Sequence, residues 1–174
     1  MSVGSLEPML LAGLAGGIAE VLECRAMDVG QHLDPAPFFD AGRRQYWSTA
    51  ILRRLEEVQP PGTDRVLGVA DVDLFIPILT FVFGEALLDR PPAIISTHRL
   101  RPSFYGLPPD PALAAERARR EAVHELGHTF GLVHCADHAC VMRASRVADE
   151  IDLKGPGFCR TCTRALHRAG VRVR

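Results

Sequence analysis

Three histidines and one glutamate fall within the segment HELGHTFGLVH, from His124 to His134. His124 and His128 are four residues apart, so on an α-helix their imidazoles leave nearly the same face, roughly 40° apart around the axis. Two nitrogen ligands are thereby aimed at one point. Glu125 lies about 100° round from His124 on the same helix, beside that point rather than on it, where a carboxylate can take a proton from a water. Its expected role is general base. Gly131 falls just past the last helical turn, where a residue that tolerates positive φ can reverse the chain and return His134 toward the first two histidines. Three nitrogen ligands leave a fourth position open, which is the arrangement of a hydrolytic zinc rather than a structural one.

HExxH alone also arises by chance on ordinary amphipathic helices, but the extension to Gly131 and His134 and the surrounding sequence argue against chance here. Asp110 followed by Pro111 reads as an N-cap with proline in the first turn, and ALAAERARREAVHELGHTF is rich in helix formers. Ala118, Ala122, Leu126 and Phe130 form an apolar i, i+4 ladder away from the ligands, so one face packs on a core while another presents the histidines.

The next signal follows at once. Four residues separate Cys135 from Cys140, two separate Cys159 from Cys162, and 18 lie between the pairs. That is ligand spacing for a second, structural zinc held by four thiolates. Two disulfides are the main alternative, and a redox CxxC the lesser one. Glu7 ahead of the short apolar run Met9 to Leu14, with no basic n-region, gives no signal peptide to support disulfides. A thioredoxin-like CxxC would open a helix after a central strand, whereas Cys159 follows the turn GPGF near the chain end. Cys24 is left over and is expected as a small buried apolar residue.

The run HELGHTFGLVHC, then ADHAC, then VM, then a stretch ending in CRTC resembles the archaemetzincins, a branch of the metzincin zinc metalloproteases. GVADVDLF and FVFGEA upstream are similar to the same family, so the likeness spans roughly residues 66–165. It implies that His124, His128 and His134 bind a catalytic zinc, that Glu125 is the general base, and that Cys135, Cys140, Cys159 and Cys162 hold a second zinc. It also implies that Met142 is the methionine of the Met-turn, an apolar floor beneath the metal; from the residues alone a lone methionine is more often core filler. The loop from Met142 to Cys159 is slightly shorter than the family's usual spacing, and Met142 stands closer to the third histidine than in most metzincins. A first strand is expected before the first helix, yet Met1 to Glu7 offers little of one, so the sheet should lack or truncate it.

Length and composition fit one compact enzyme domain, residues 1–174, with an N-terminal part (1–131) carrying the sheet and active-site helix and a smaller zinc-stapled C-terminal part (132–174). A chain of this size buries about two-thirds of its unfolded surface, so the second zinc would clamp locally rather than drive folding. A net charge of −1 offers no field for nucleic acid or anionic lipid. Arg117, Arg119 and Arg120, and the arginines from Arg160 to Arg174, are expected on a solvated helix face and a solvated tail. The apolar stretch from Leu74 to Leu88 is broken by Pro77, Gly84 and Glu85 and falls short of the roughly 20 residues of a membrane span; it reads as buried strand and turn. There is no asparagine, one lysine and nineteen arginines, which a hot habitat and GC-rich codons explain equally well.

Around the motif the chain alternates between elements without repeats. Leu10–Leu22 and Arg43–Val58 read as helices, the second from the stripe Trp47, Ile51, Leu55, Val58 and the stop at Pro60, Pro61 and Gly62. Glu23–Asp28, Arg65–Val69, Thr80–Phe83 and Ala93–Thr97 are strand candidates. The expected fold is an α/β sandwich, metzincin-like by the resemblance, with a mixed, mostly parallel twisted sheet and the active-site helix behind it. In the metzincin pattern a substrate peptide lies extended and antiparallel to an edge strand, and Phe81–Ala86 is the best candidate for that edge.

Other polar residues are weaker candidates. His98, Arg99 and Tyr105 could contact substrate but read better as ordinary loop residues; His138 could replace a thiolate but is not needed; His32 and His167 read as surface residues. The leading expectation is a cytoplasmic, monomeric zinc peptidase, endo- or aminopeptidase, acting on peptides or proteins. A zinc hydrolase of another amide is the second, because HExxH specifies the chemistry and not the leaving group. A zinc-containing binding module with a vestigial site is the third.

Overall fold

The computed structural model describes residues 1–6 and 8–174; Glu7, noted above ahead of the apolar run, lies outside the described residues. In chain order the elements are β1 (Ser2–Val3), α1 (Pro8–Leu22), β2 (His32–Leu33), β3 (Phe39–Asp40), β4 (Gln45–Trp47), α2 (Ser48–Glu57), β5 (Val66–Ala70), β6 (Leu74–Phe75), β7 (Gly84–Ala86), β8 (Pro92–Ser96), α3 (Pro111–Thr129), α4 (Ala148–Asp152) and α5 (Arg160–Arg168).

The main sheet has the order β2-β1-β5-β8-β7, parallel throughout except for β7, which runs antiparallel to β8 at the edge. Its inner strands are the β-branched runs VLGVA and PAIIS, and their period-two alternation fills two cores. Val66, Ala70 and Ile94 face Ile51, Leu52 and Leu55 of α2. Val69 and Ile95 face the other way, toward Leu14 and Ile18 of α1, Ala118, Ala122 and Leu126 of α3, and the C-terminal residues Met142, Ile151 and Leu166. This is the mixed, mostly parallel sandwich with the motif helix behind the sheet. The expected first strand is truncated to two residues, yet it sits centrally between β2 and β5.

Several expectations are corrected. Glu23–Asp28 forms no strand. The second helix begins at Ser48, because Gln45–Trp47 is drawn into a small second sheet with β3 and β6. Thr80–Phe83 makes only a single bridge, Val82 to Leu74, and the ladder starts at Gly84. The stretch from Leu74 is buried only at Leu74, Phe75 and Phe83; between them the chain loops out beyond Pro77, where Ile78 is 86% exposed. Cys24 is exposed rather than buried, just past the end of α1. Among the described residues no helix is long and apolar enough to cross a membrane.

The expected solvated arginine face is also overturned. Arg117 is buried, its Nε and one terminal nitrogen gripping Asp152 of α4 at 2.8 and 2.6 Å while another reaches the Leu100 carbonyl at 3.2 Å. Arg119 and Arg120 pair with Glu116 one turn back at 2.7 and 3.0 Å. The Arg117 fork ties α3 to α4 and to the loop at Leu100, Arg119 and Arg120 pair within α3, and the tail arginines are exposed as expected. Arg117→Ala should destabilise the fold by about 2–3 kcal/mol, the worth of a charged hydrogen-bond pair, measured as a lower urea midpoint at unchanged slope.

Candidate active site

α3 opens as its sequence dictates. The Asp110 carboxylate accepts the Leu113 N–H at 2.9 Å, and Pro111 takes the first turn. It ends in a Schellman turn: Gly131 stands at φ 84°, its N–H bonds the His128 carbonyl at 2.9 Å, and the Leu132 N–H bonds the Gly127 carbonyl at 3.1 Å. That reversal returns His134, so the three imidazoles gather with ring centroids 4.7, 5.0 and 5.3 Å apart.

Their orientation is fixed from behind. His124 Nδ1 lies 2.8 Å from the Val141 carbonyl and His128 Nδ1 lies 2.6 Å from the Leu132 carbonyl. A carbonyl only accepts, so both Nδ1 atoms carry the proton and both Nε2 atoms present lone pairs to the centre. The two Nε2 atoms are 3.2 Å apart, against about 3.3 Å for two nitrogens sharing one tetrahedral zinc. Burial, followed by the Lys154 charge for His124, holds all three histidines below their ordinary pKa, His124 furthest. They are thus neutral, the form that ligates.

Glu125 is buried beside this cluster, and burial, then the Glu121 and Glu85 charges, push its carboxyl well above the usual range. It lines a recess of about 310 Å³ between the segment Leu79–Gly84, His124 and His134, and the wall Ala144–Arg146. A larger cavity, about 570 Å³ between α1, β5 and the end of α3, contains none of the histidines. Two glycines set the clearances. A Cβ on Gly84 would stand 2.7 Å from Glu125 Oε1 and 2.7 Å from the Ile94 carbonyl, and one on Gly127 would overlap the Met142 sulfur. Met142 is fully buried against the helix turn that separates His124 from His128.

Cys135, Cys140, Cys159 and Cys162 converge as a second group. The Cys135–Cys159 and Cys140–Cys162 sulfur separations are each 3.7 Å, far beyond a disulfide bond of about 2.05 Å and close to the roughly 3.8 Å of two thiolates on one tetrahedral zinc. The backbone N–H of Cys162 holds the Cys159 thiol below its usual pKa, while burial raises Cys140 and Cys162. His138 is exposed and stands outside the group, as do His32 and His167.

Reading by sequence missed the supports. Glu121, one turn before Glu125 on α3, forms a buried ion pair with Lys154 at 3.0 Å, the chain's one lysine. His98, Arg99 and Tyr105 are not idle loop residues: Arg99 grips Asp73 at 2.6 and 2.7 Å and lies over the rings of Phe81 and Phe104, Tyr105 donates to the Arg99 carbonyl, and the His98 ring meets Phe104 edge-on. A lone lysine among nineteen arginines was the one available signal. Gly84→Val, whose Cβ would meet both Glu125 and the Ile94 backbone carbonyl, should abolish activity and lower the thermal midpoint by displacing β7, seen by circular dichroism melting. Because the folded histidines take protons less readily than the unfolded ones, whose pKa is 6.5, protons favour unfolding: chelator-treated protein should lose thermal stability as pH falls below 6.5, and His124→Gln should flatten that loss.

Residues 32–168 match the model of Peptidase family M54. The chain is 37% identical over 172 residues to the archaemetzincin of Thermococcus kodakarensis, covering 95% of this chain and 92% of that protein. It is 43% identical over 139 residues to the archaemetzincin of Methanocaldococcus jannaschii, covering 80% and 75%. The fold superposes on the crystal structure of a zinc-dependent peptidase from Methanocorpusculum labreanum with TM-score 0.82 at 31% identity, covering 95% and 97% of the two chains. On the archaemetzincin of Methanopyrus kandleri the TM-score is 0.79 at 36% identity, covering 97% and 94%. With a family-model match over residues 32–168 and a 37% identical archaemetzincin covered almost end to end, the chain belongs to peptidase family M54, the archaemetzincins.

Proposed function

We propose that this metallopeptidase hydrolyses peptide bonds at a zinc held by His124, His128 and His134, with Glu125 as general base, and that Cys135, Cys140, Cys159 and Cys162 hold a second, structural zinc. The observation that carries the reading is the facing pair of Nε2 lone pairs, 3.2 Å apart, beside a buried glutamate that opens on a recess. The zinc-dependent peptidase of M. labreanum shares the fold. When bound, zinc supplies a Lewis acid that polarises a carbonyl and acidifies a water.

The chain's own residues then divide the work. The Glu125 carboxylate takes a proton from the attacking water and returns it to the leaving amine. Val141 and Leu132 keep the imidazole tautomers fixed throughout. Met142 packs under the helix turn between the two ligands as the apolar floor. β7 has β8 on one side only, so its other side is available to an extended peptide, which favours a peptide over a small amide as substrate. Net charge −1 offers no field for nucleic acid, and cysteines grouped at ligand distance rather than paired as disulfides support a reducing, cytoplasmic setting.

Elemental analysis of zinc-reconstituted protein should find two zinc ions per chain, falling to one in His128→Ala. Glu125→Ala should retain both ions and lose turnover of quenched-fluorescence peptides by at least about a thousandfold; cleavage at the wild-type rate would exclude Glu125 as the base.

A further inference from the structure

We infer that Glu85 is the positioning residue of the substrate edge, setting the height of β7 above α3; this rests on the proposal that a peptide lies along that edge. Side chains alternate along a strand, and the three residues of β7 use that alternation fully. Gly84 turns its bare Cα toward Glu125, so the strand and the catalytic carboxylate approach without a side chain between them. Glu85 points to the opposite face, where its carboxylate accepts hydrogen bonds from Ser48 Oγ at 2.5 Å and Thr49 Oγ1 at 2.7 Å.

Those two hydroxyls open α2, whose N-cap residue Trp47 supplies no side-chain cap. The Glu85 carboxylate therefore also faces the positive end of that helix dipole. α2 is in turn anchored to the sheet by the fully buried Ile51, Leu52 and Leu55. A strand of three residues, paired on one side only, has few ladder bonds to locate it. A charge-assisted double hydrogen bond to a rigid helix provides what the ladder lacks.

The segment leading into β7 is held in the same manner from outside the histidine helix. Arg43 donates to the Leu79 and Thr80 carbonyls at 2.6 and 3.2 Å, Gln45 donates to the Thr80 carbonyl at 3.0 Å, and the Arg99 guanidinium lies 4.2 Å from the Phe81 ring centroid. Of these fasteners Glu85 alone belongs to the paired strand, so it sets the edge itself rather than the approach to it.

The test uses zinc-reconstituted full-length protein and two inhibitors: acetohydroxamate, which reaches only the metal, and a tetrapeptide hydroxamate, which also lies along the edge. Glu85→Ala should weaken the tetrapeptide hydroxamate about tenfold while leaving acetohydroxamate within about twofold. Glu85→Gln, which keeps the shape and can still bond both hydroxyls, should recover most of the loss. Thr49→Val, which removes one bond without altering β7, should weaken the tetrapeptide hydroxamate about threefold. In peptide cleavage the same variants should raise KM with kcat within about threefold. Equal weakening of both hydroxamates, or of neither, overturns the inference, since a purely structural role would not separate them. Failure of acetohydroxamate to bind the wild-type protein would instead bring down the metal reading, and this inference with it.

Discussion

The proton on His124 Nδ1, received by the Val141 carbonyl at 2.8 Å, is the constraint on which the rest of the site depends. A helix can place two imidazoles on one face, but each ring still turns about its own bonds and exists in two tautomers. The carbonyl settles both questions for His124 at once. Val141 lies between Cys140 of the sulfur group and Met142 of the floor, so the ligand face of α3 is incomplete until the chain beyond His134 has folded back. That return is itself hydrogen-bonded: the Cys135 N–H to the Met142 carbonyl at 2.9 Å, the Val141 N–H to the Gly157 carbonyl at 2.9 Å, and the Gly155 N–H to the Ala139 carbonyl at 2.8 Å. On the proposed reading a zinc on the four cysteines would close this loop on itself, a reason for a chain with enough core for stability to carry them next to its chemistry.

How much of this was legible in the sequence depended on how local the cause was. The Asp110 cap, the span of α3, the Gly131 turn and the convergence of the three histidines and of the four cysteines follow from spacing within one helix or one loop. The inner strands were legible too, because Val66–Ala70 and Pro92–Ser96 are β-branched runs buried on both faces. What failed was decided by partners distant in sequence. Gln45 to Trp47 is helical by its apolar stripe, yet pairing with β3 and β6 takes it into a sheet. Arg117 and Lys154 look like solvent residues, and only the fold shows their carboxylate partners. The approach of Gly84 to Glu125 joins residues from different elements across the cleft, and no local pattern encodes it.

The buried Lys154–Glu121 pair is an unusual thing to place in a core. Removing two charges from water costs more than an apolar pair of the same volume, so such a pair is weak evidence for stability. Its position gives it another reason to exist. Glu121 belongs to α3 and Lys154 to the C-terminal segment, and Gly155, the next residue, bonds the loop between Cys135 and Cys140. An apolar contact there would tolerate sliding between the two parts, whereas a hydrogen-bonded pair at 3.0 Å tolerates little. The pair thus fixes register between helix and sulfur group, at the level where Val141 meets His124.

The same groups explain the charge of the site. Glu121 and Glu125 bring two carboxylates beside the histidines and Lys154 brings one ammonium, while Glu85 acts on Glu125 from the far face of β7. Burial disfavours the ionised form of Glu125, and its neighbours Glu121 and Glu85 push in the same direction. A divalent cation at the three nitrogens would offset the crowding of carboxylates around Glu125. It would also reverse the pressure on Glu125, because a nearby positive charge favours the ionised carboxylate that a general base must be. On the proposed reading the carboxylates are therefore not incidental to a zinc site defined by histidines. They make the recess a poor place for neutral contents and a good one for a dication, and they tie the basicity of Glu125 to the presence of the ion it serves.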